Sequence, residues 1–181
     1  MKDSFIYFVS PFGILYSYDL TLKTVTKLVE LLHTGNNYAS MIFVDNILYI
    51  HKYLNFYSFD GVKVSEITTP DVRAQPGLFQ SGNLICYVGG NYTVILSNPV
   101  QCYNPNDGTW AVSSYIDDFR RAPGVATTEA GTLVIGGSVL ANGTNSWLNS
   151  TIIFDHKTKV WSYAPSPLVN EPVHQAITFY F

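Results

Sequence analysis

Short runs of alternating apolar and polar residues, broken by turn residues, recur along the chain. Alternation with a period of two predicts half-buried strands. The first pair spans Phe5 to Ser10 and Ile14 to Asp19, joined by Pro11-Phe12-Gly13. Four runs close in the same way: Leu15-Tyr16-Ser17-Tyr18-Asp19, Phe56-Tyr57-Ser58-Phe59-Asp60, Gln101-Cys102-Tyr103-Asn104 and Ile152-Ile153-Phe154-Asp155. Each ends on an aromatic residue followed by Asp or Asn. The step from Asp19 to Asp60, Asn104 and Asp155 is about 40–50 residues, the period expected of a repeat built from short strands.

Two further marks share that period. Six residues separate Tyr18 from Val25, Tyr103 from Trp110, and Phe154 from Trp161, and those six are rich in Asx and Thr. Such a segment reads as a turn between two strands. It would bring the aromatic and the bulky apolar residue back to one core, where each ring can bury ~150–250 Å². The second unit departs from this, with a tighter turn over Phe59 to Val64 and no Trp. Upstream, Leu84 to Val88 closes on Gly89-Gly90, and Leu133 to Ile135 closes on Gly136-Gly137. Paired glycines suit a strand end where backbones crowd or a positive φ is needed. Arg73 and Arg121 precede the two pairs by 16 and 15 residues. The first two units carry Val9-Ser10-Pro11 and Ile50-His51-Lys52 at the glycine position instead.

With the double glycine, the aromatic, the six-residue gap, the Trp and a Pro-containing link (Ala164-Pro165-Ser166-Pro167), the chain resembles the kelch repeat family. The resemblance covers nearly the whole chain and is strongest from Arg73 to Pro167. It implies an all-β fold, a kelch-like β-propeller of about four four-stranded blades, similar in fold to the galactose-oxidase central domain. The units run 1–36, 37–72, 73–120 and 121–172, with the start of a further blade at 173–181. Complete kelch propellers have five to seven blades, so a partial ring is the expected form. A closed four-bladed ring is its rival, with Ala176 to Phe181 completing a first blade that is short at its N-terminal side.

Composition adds constraints. Apolar residues make up 47% and charged residues 13%, which excludes disorder, and aromatics reach 15%. Ten Lys and Arg stand against 13 Asp and Glu, for a net charge of −3. No basic patch points to nucleic acid. The charge-free stretch Ser4 to Tyr18 is too short to span a membrane, and Pro11 and Gly13 interrupt it as a signal peptide. Cys86 and Cys102 are the only cysteines. Reduced, buried thiols are the first expectation for them; a disulfide across two adjacent strands is the alternative. Sequons at Asn91, Asn142 and Asn149 are candidate N-glycosylation sites, though about as many arise by chance in a chain this rich in Asn, Ser and Thr.

The residues supply no chemistry for catalysis. His33, His51, His156 and His174 fall in different units without a ligand spacing. The copper oxidases among kelch-like propellers need converging His, Tyr and Cys ligands, and no such set is visible. Nucleophile elbows and phosphate or dinucleotide loops are missing too. Asp117-Asp118 reads as a solvated turn. No catalytic residue, cofactor or metal is therefore expected.

What remains is recognition by loops on a rigid scaffold. The segments Asn91 to Val100 and Ser138 to Ser150 follow the glycine pairs. Trp147 in the second, among Asn, Gly, Thr and Ser, has the setting of an interface anchor, with folding back onto its own blade the equal alternative. Tyr92 is its weaker counterpart with the same two readings. The resemblance adds Arg73 and Arg121, at the strand-start position where kelch repeats often carry Arg, with His174 at the related place in the last unit. For both arginines an intra-blade ion pair or a hydrogen bond to a loop carbonyl is the first expectation, and a place on the binding face the alternative. Together these imply a non-catalytic, cytoplasmic adaptor or scaffold that binds a protein partner. The alternative is a secreted or cell-surface kelch protein, N-glycosylated, that binds an extracellular ligand or carbohydrate.

Overall fold

The computed structural model describes residues 4–32, 38–92, 98–117, 120–141, 144–165 and 179–180. These residues are all-β. The first sheet is β1 (Phe5–Val9), β2 (Ile14–Asp19) and β3 (Thr24–Glu30), in that order. The second is β4 (Ala39–Val44), β5 (Ile47–Lys52), β6 (Asn55–Phe59) and β7 (Val64–Ile67). Next come β8 (Arg73–Ala74), β9 (Gly77–Ser81), β10 (Leu84–Val88), β11 (Asn91–Tyr92), β12 (Asn98–Asn104) and β13 (Thr109–Ile116). The third sheet is β9-β10-β12-β13, and β8 pairs with β11 beside it. The fourth sheet contains β14 (Gly124–Thr127), β15 (Gly131–Ile135), β18 (Thr151–Asp155), β19 (Trp161–Tyr163) and β20 (Phe179–Tyr180). Between β15 and β18, β16 (Ser138–Ala141) and β17 (Thr144–Trp147) form a hairpin.

The recurring Asp or Asn fixes each outer hairpin. Asp19 Oδ1 accepts hydrogen bonds from the backbone N–H groups of Thr21 and Leu22. Asp60 Oδ1 does the same for Val62 and Lys63, and Asp155 Oδ1 for Lys157 and Thr158. Asn104 Oδ1 accepts from Asn106 N–H. These are Asx turns, in which a short acceptor side chain stands in for a backbone carbonyl. The turn sets the register, placing Tyr18 opposite Val25, Tyr103 opposite Trp110 and Phe154 opposite Trp161. In the second sheet the tighter turn pairs Phe59 with Val64.

Each sheet then uses its two faces differently. In the third sheet, Leu78, Ile85 and Tyr87 pack on Ile42, Val44, Tyr49 and Phe56 of the second. Their sequence neighbours Phe79, Cys86, Val88 and Cys102 pack on Val125, Val134, Ile152 and Phe154 of the fourth. A third cluster joins Leu15, Tyr7 and Val9 of the first sheet to Leu48, Ile50, Tyr57 and Phe59 of the second. Period-two alternation thus gives every sheet a leading face, towards the sheet before it, and a trailing face, towards the sheet after it. Three cores lie between four sheets stacked in chain order. Phe56, Phe79 and Phe154 are fully buried in them, each worth about 1.5–3 kcal/mol relative to exposure. The tryptophans tie sheet to sheet: Trp110 donates from Nε1 to Thr68 O at 2.9 Å, and Trp161 from Nε1 to Ser114 Oγ at 2.9 Å.

Several expectations need correction. The first sheet has three strands rather than four, because a strand equivalent to β4, β9 and β14 is lacking among its described residues. Phe179–Tyr180 lies parallel to β14, with Phe179 opposite Ala126, and so makes a five-stranded fourth sheet instead of completing the first. Two residues with no turn signal of their own carry nothing in sequence that selects a partner strand. The leading face of the first sheet is exposed at Ile6, Phe8 and Val25, so the four sheets do not close on one another there. Cys86 and Cys102 sit directly opposite on β10 and β12 and form a disulfide, in place of the reduced pair first expected. Adjacent antiparallel strands bring such a pair within bonding distance.

Candidate functional site

The sheets share one end that is built unlike the rest, where the second and third strands of each unit connect. In the first sheet this connection is Ser10 to Gly13, in the second Tyr53-Leu54, in the third it begins at Gly89, and in the fourth at Gly136. Neighbouring sheets are laced together here. Gly90 N–H donates to Arg120 O at 2.8 Å, Ala122 N–H to Gln75 O at 2.9 Å, and Lys52 Nζ to Pro11 O at 3.5 Å.

Two buried guanidinium groups hold this end. Arg73 donates to Gly89 O at 3.1 Å, Pro99 O at 3.0 Å and Asp71 Oδ2 at 3.0 Å, and lies 5.6 Å from the Tyr87 ring centroid. Burial pulls its pKa down to about 10, and the Asp71 carboxylate partly offsets this. In the fourth sheet the equivalent residue is Arg120. It donates to Val134 O at 3.1 Å, to Gly136 O and Ser150 O at 3.2 Å, and to Ser150 Oγ at 3.2 Å. The separation from Arg120 to Gly136 is 16 residues, the same as from Arg73 to Gly89. The expected equivalence of Arg73 with Arg121 is therefore one residue out of register. Neither Arg73 nor Arg120 reaches the surface, so Arg73 braces its own sheet and offers no surface to a partner.

The glycine pairs have a steric cause. A Cβ on Gly89 would lie 2.3 Å from Arg120 O, and one on Gly90 would lie 2.5 Å from Arg73 Cγ. Both have positive φ, 67° and 95°. A side chain would push the next sheet's backbone and the arginine out of place.

Arg121 bridges instead to the projecting hairpin. Its backbone pairs with Ser138, and its guanidinium donates to Asn145 Oδ1 on β17. Along β17 all four side chains, Thr144 to Trp147, are exposed, with Trp147 39% exposed. Sequence reasoning missed two relatives of Trp147. Phe12, 76% exposed, and Tyr53, 38% exposed, occupy the corresponding connections of the first and second sheets. Tyr92 belongs to the third, in β11 opposite Arg73. One aromatic on each of four equivalent connections is a signal present in the sequence. The first two units hid it because they lack the glycine pair that marks the place.

Other candidates fall elsewhere. His51 is buried edge-on to Tyr87 at 5.1 Å, and burial, reinforced by the Arg73 charge, lowers its pKa to about 3, so it is neutral. Thr132 Oγ1 and His156 Nε2 are hydrogen bonded at 2.9 Å. Asn91 and Asn149 are half-buried. His33, Asn142, Asp118 and His174 lie outside the described residues. At the opposite, outer edge, a groove of about 320 Å³ opens between β13 and β19, lined by Tyr115, Asp117, Lys159 and Tyr163 above Trp161. Among the described residues, no three His, Cys, Asp or Glu side chains stand close enough to hold one metal ion. No helix among them is long and apolar enough to cross a membrane.

No protein-family model matches the chain, and no curated protein matches it.

Proposed function

We propose that the chain is four consecutive blades of a kelch-like β-propeller, an incomplete ring, acting as a non-catalytic module that binds a protein partner. The observation that carries this reading is the aromatic residue on each equivalent connection: Phe12, Tyr53, Tyr92 and Trp147. Large aromatic rings carried on these connections have the character of interface anchors, because little rotamer entropy is lost when they are covered. The polar neighbours Thr144, Asn145 and Ser146 on β17, with Arg121 behind them, supply adaptable hydrogen bonding at the rim. The serial stacking of sheets and the outer hairpins closed by Asx turns support the kelch-like assignment.

The test is affinity capture from extracts of the producing organism. Wild-type protein is compared with a Phe12→Ser/Tyr53→Ser/Trp147→Ser variant whose circular dichroism is unchanged. Proteins enriched several-fold by the wild type and lost with the variant would identify partners of this end. An identical captured set would defeat the reading.

The extracellular version of this function gains support from one feature, the Cys86–Cys102 disulfide. Such bonds persist in oxidising compartments and are rare in the cytosol. Intact mass before and after enzymatic removal of N-linked glycans decides between it and the cytoplasmic adaptor. A shift establishes passage through the secretory pathway. Unmodified protein with reactive thiols in the cell would restore the adaptor.

A further inference from the structure

The leading faces of the four sheets are built from equivalent columns. Leu48, Ile50, Phe59 and Val64 in the second sheet correspond to Ile85, Tyr87, Tyr103 and Trp110 in the third. In the first sheet the same positions hold Ile6, Phe8, Tyr18 and Val25, with Tyr16 beside them. The second and third columns lie against a preceding sheet. Among the described residues the first does not: Ile6 is 51% exposed and Val25 58%. Phe8, 39% exposed, stacks on the half-buried Tyr16 at 5.3 Å. At the far end, the fourth sheet ends in a trailing face. Ala126, Leu133 and Ile153 line up across three strands, with Ile135 alongside. They are the counterparts of Phe79, Cys86, Cys102 and Val88 and are half-buried.

We infer that the leading face of the first sheet docks on the trailing face of the fourth sheet of a second copy of this chain. All three interfaces inside the chain join a leading face to a trailing face. The described residues leave one further face of each kind, at opposite ends of the stack. Contact between copies continues the same series, leading on trailing, and is heterologous. Two copies joined at both ends form a closed pair, and eight stacked sheets lie within the range of rings of four-stranded sheets. The inference rests on the stacking of the sheets and holds whether or not the exposed aromatic end binds a protein.

Sedimentation velocity of the full 181-residue chain over a wide concentration range should give a species of twice 20.2 kDa. Val25→Lys, at a position exposed within the chain, should return it to monomer with unchanged circular dichroism. Orientation is read with Val25→Cys and Ile153→Cys, since the native cysteines are already tied to each other. A bis-maleimide should cross-link a mixture of the two variants several-fold more than either variant alone. Cross-linking of Val25→Cys to itself would overturn the inference, because it reports two leading faces in contact. So would a wild-type chain that stays monomeric at every concentration, which leaves the face to some other occupant.

Discussion

Replacing Arg120 by methionine keeps an unbranched apolar stem and removes the guanidinium donors. The carbonyls of Val134, Gly136 and Ser150 then lose the guanidinium, as does the Ser150 hydroxyl. A buried polar group left without its partner costs about 1–3 kcal/mol. The carbonyls keep part of their bonding within the sheet, so the sum over three falls near 3–5 kcal/mol, the scale of breaking a buried charged arrangement. Against a total of about 5–15 kcal/mol, this is a large loss. For a chain of this size it lowers the melting temperature by roughly 6–20 °C. Arg121→Met is the control: that side chain is part-exposed and bonds Asn145 at the surface, so its loss costs about 1 kcal/mol or less. The assay is urea unfolding followed by tryptophan fluorescence. Equal slopes for wild type and variants make the midpoint shift a stability difference. If both variants lose the same amount, or Arg120→Met loses under about 1 kcal/mol, the assignment of Arg120 as the brace is wrong.

Three further outcomes follow from the same geometry. His51 has a folded pKa of about 3 against about 6.5 unfolded, so its contribution is complete above pH 6.5 and is lost as pH falls towards 3. At pH 5 the loss is about 2 kcal/mol, and the difference in urea midpoint between wild type and His51→Asn should shrink accordingly between pH 7 and pH 5. Cys86→Ala/Cys102→Ala opens a loop of separation 16 and should cost about 3 kcal/mol, while the unreduced protein shows no thiol reactive to Ellman's reagent even when unfolded and two after reduction. Gly89→Ala, placing a methyl 2.3 Å from Arg120 O at a positive φ, should destabilise by more than about 2 kcal/mol, whereas Gly108→Ala, with open space around it, should cost about 1 kcal/mol from its φ alone.

The hairpins were the most legible part of the sequence, since an Asx turn of fixed length determines which residues lie opposite. Tyr103 and Phe154 meet Trp110 and Trp161 for that reason. The neighbouring arginines 120 and 121 were ambiguous by one residue, and a slip of one sends a side chain to the other face of the strand. Only the carbonyls around Arg120 decide between them. The use of both faces was also hidden: Ile85, Cys86, Tyr87 and Val88 read as a continuous apolar run, and their division between two cores needs the neighbouring sheets. Phe12 and Tyr53 went unnoticed because equivalence with Trp147 is a matter of position in the sheet, which no local motif reports.

Because each sheet rests only on those beside it, the molecule behaves as a linear series of coupled elements. The third sheet has a packed neighbour on both faces and a covalent cross-link between its middle strands. The first has three strands and one such neighbour. In the monomeric Val25→Lys variant, amide hydrogen exchange should therefore be graded along the chain, fastest in β1 to β3 and slowest in β10 and β12, with opening that begins at the first sheet and spreads inward. An unfolding force applied to the N-terminus would peel the sheets in order, and each step would be as long as one unit.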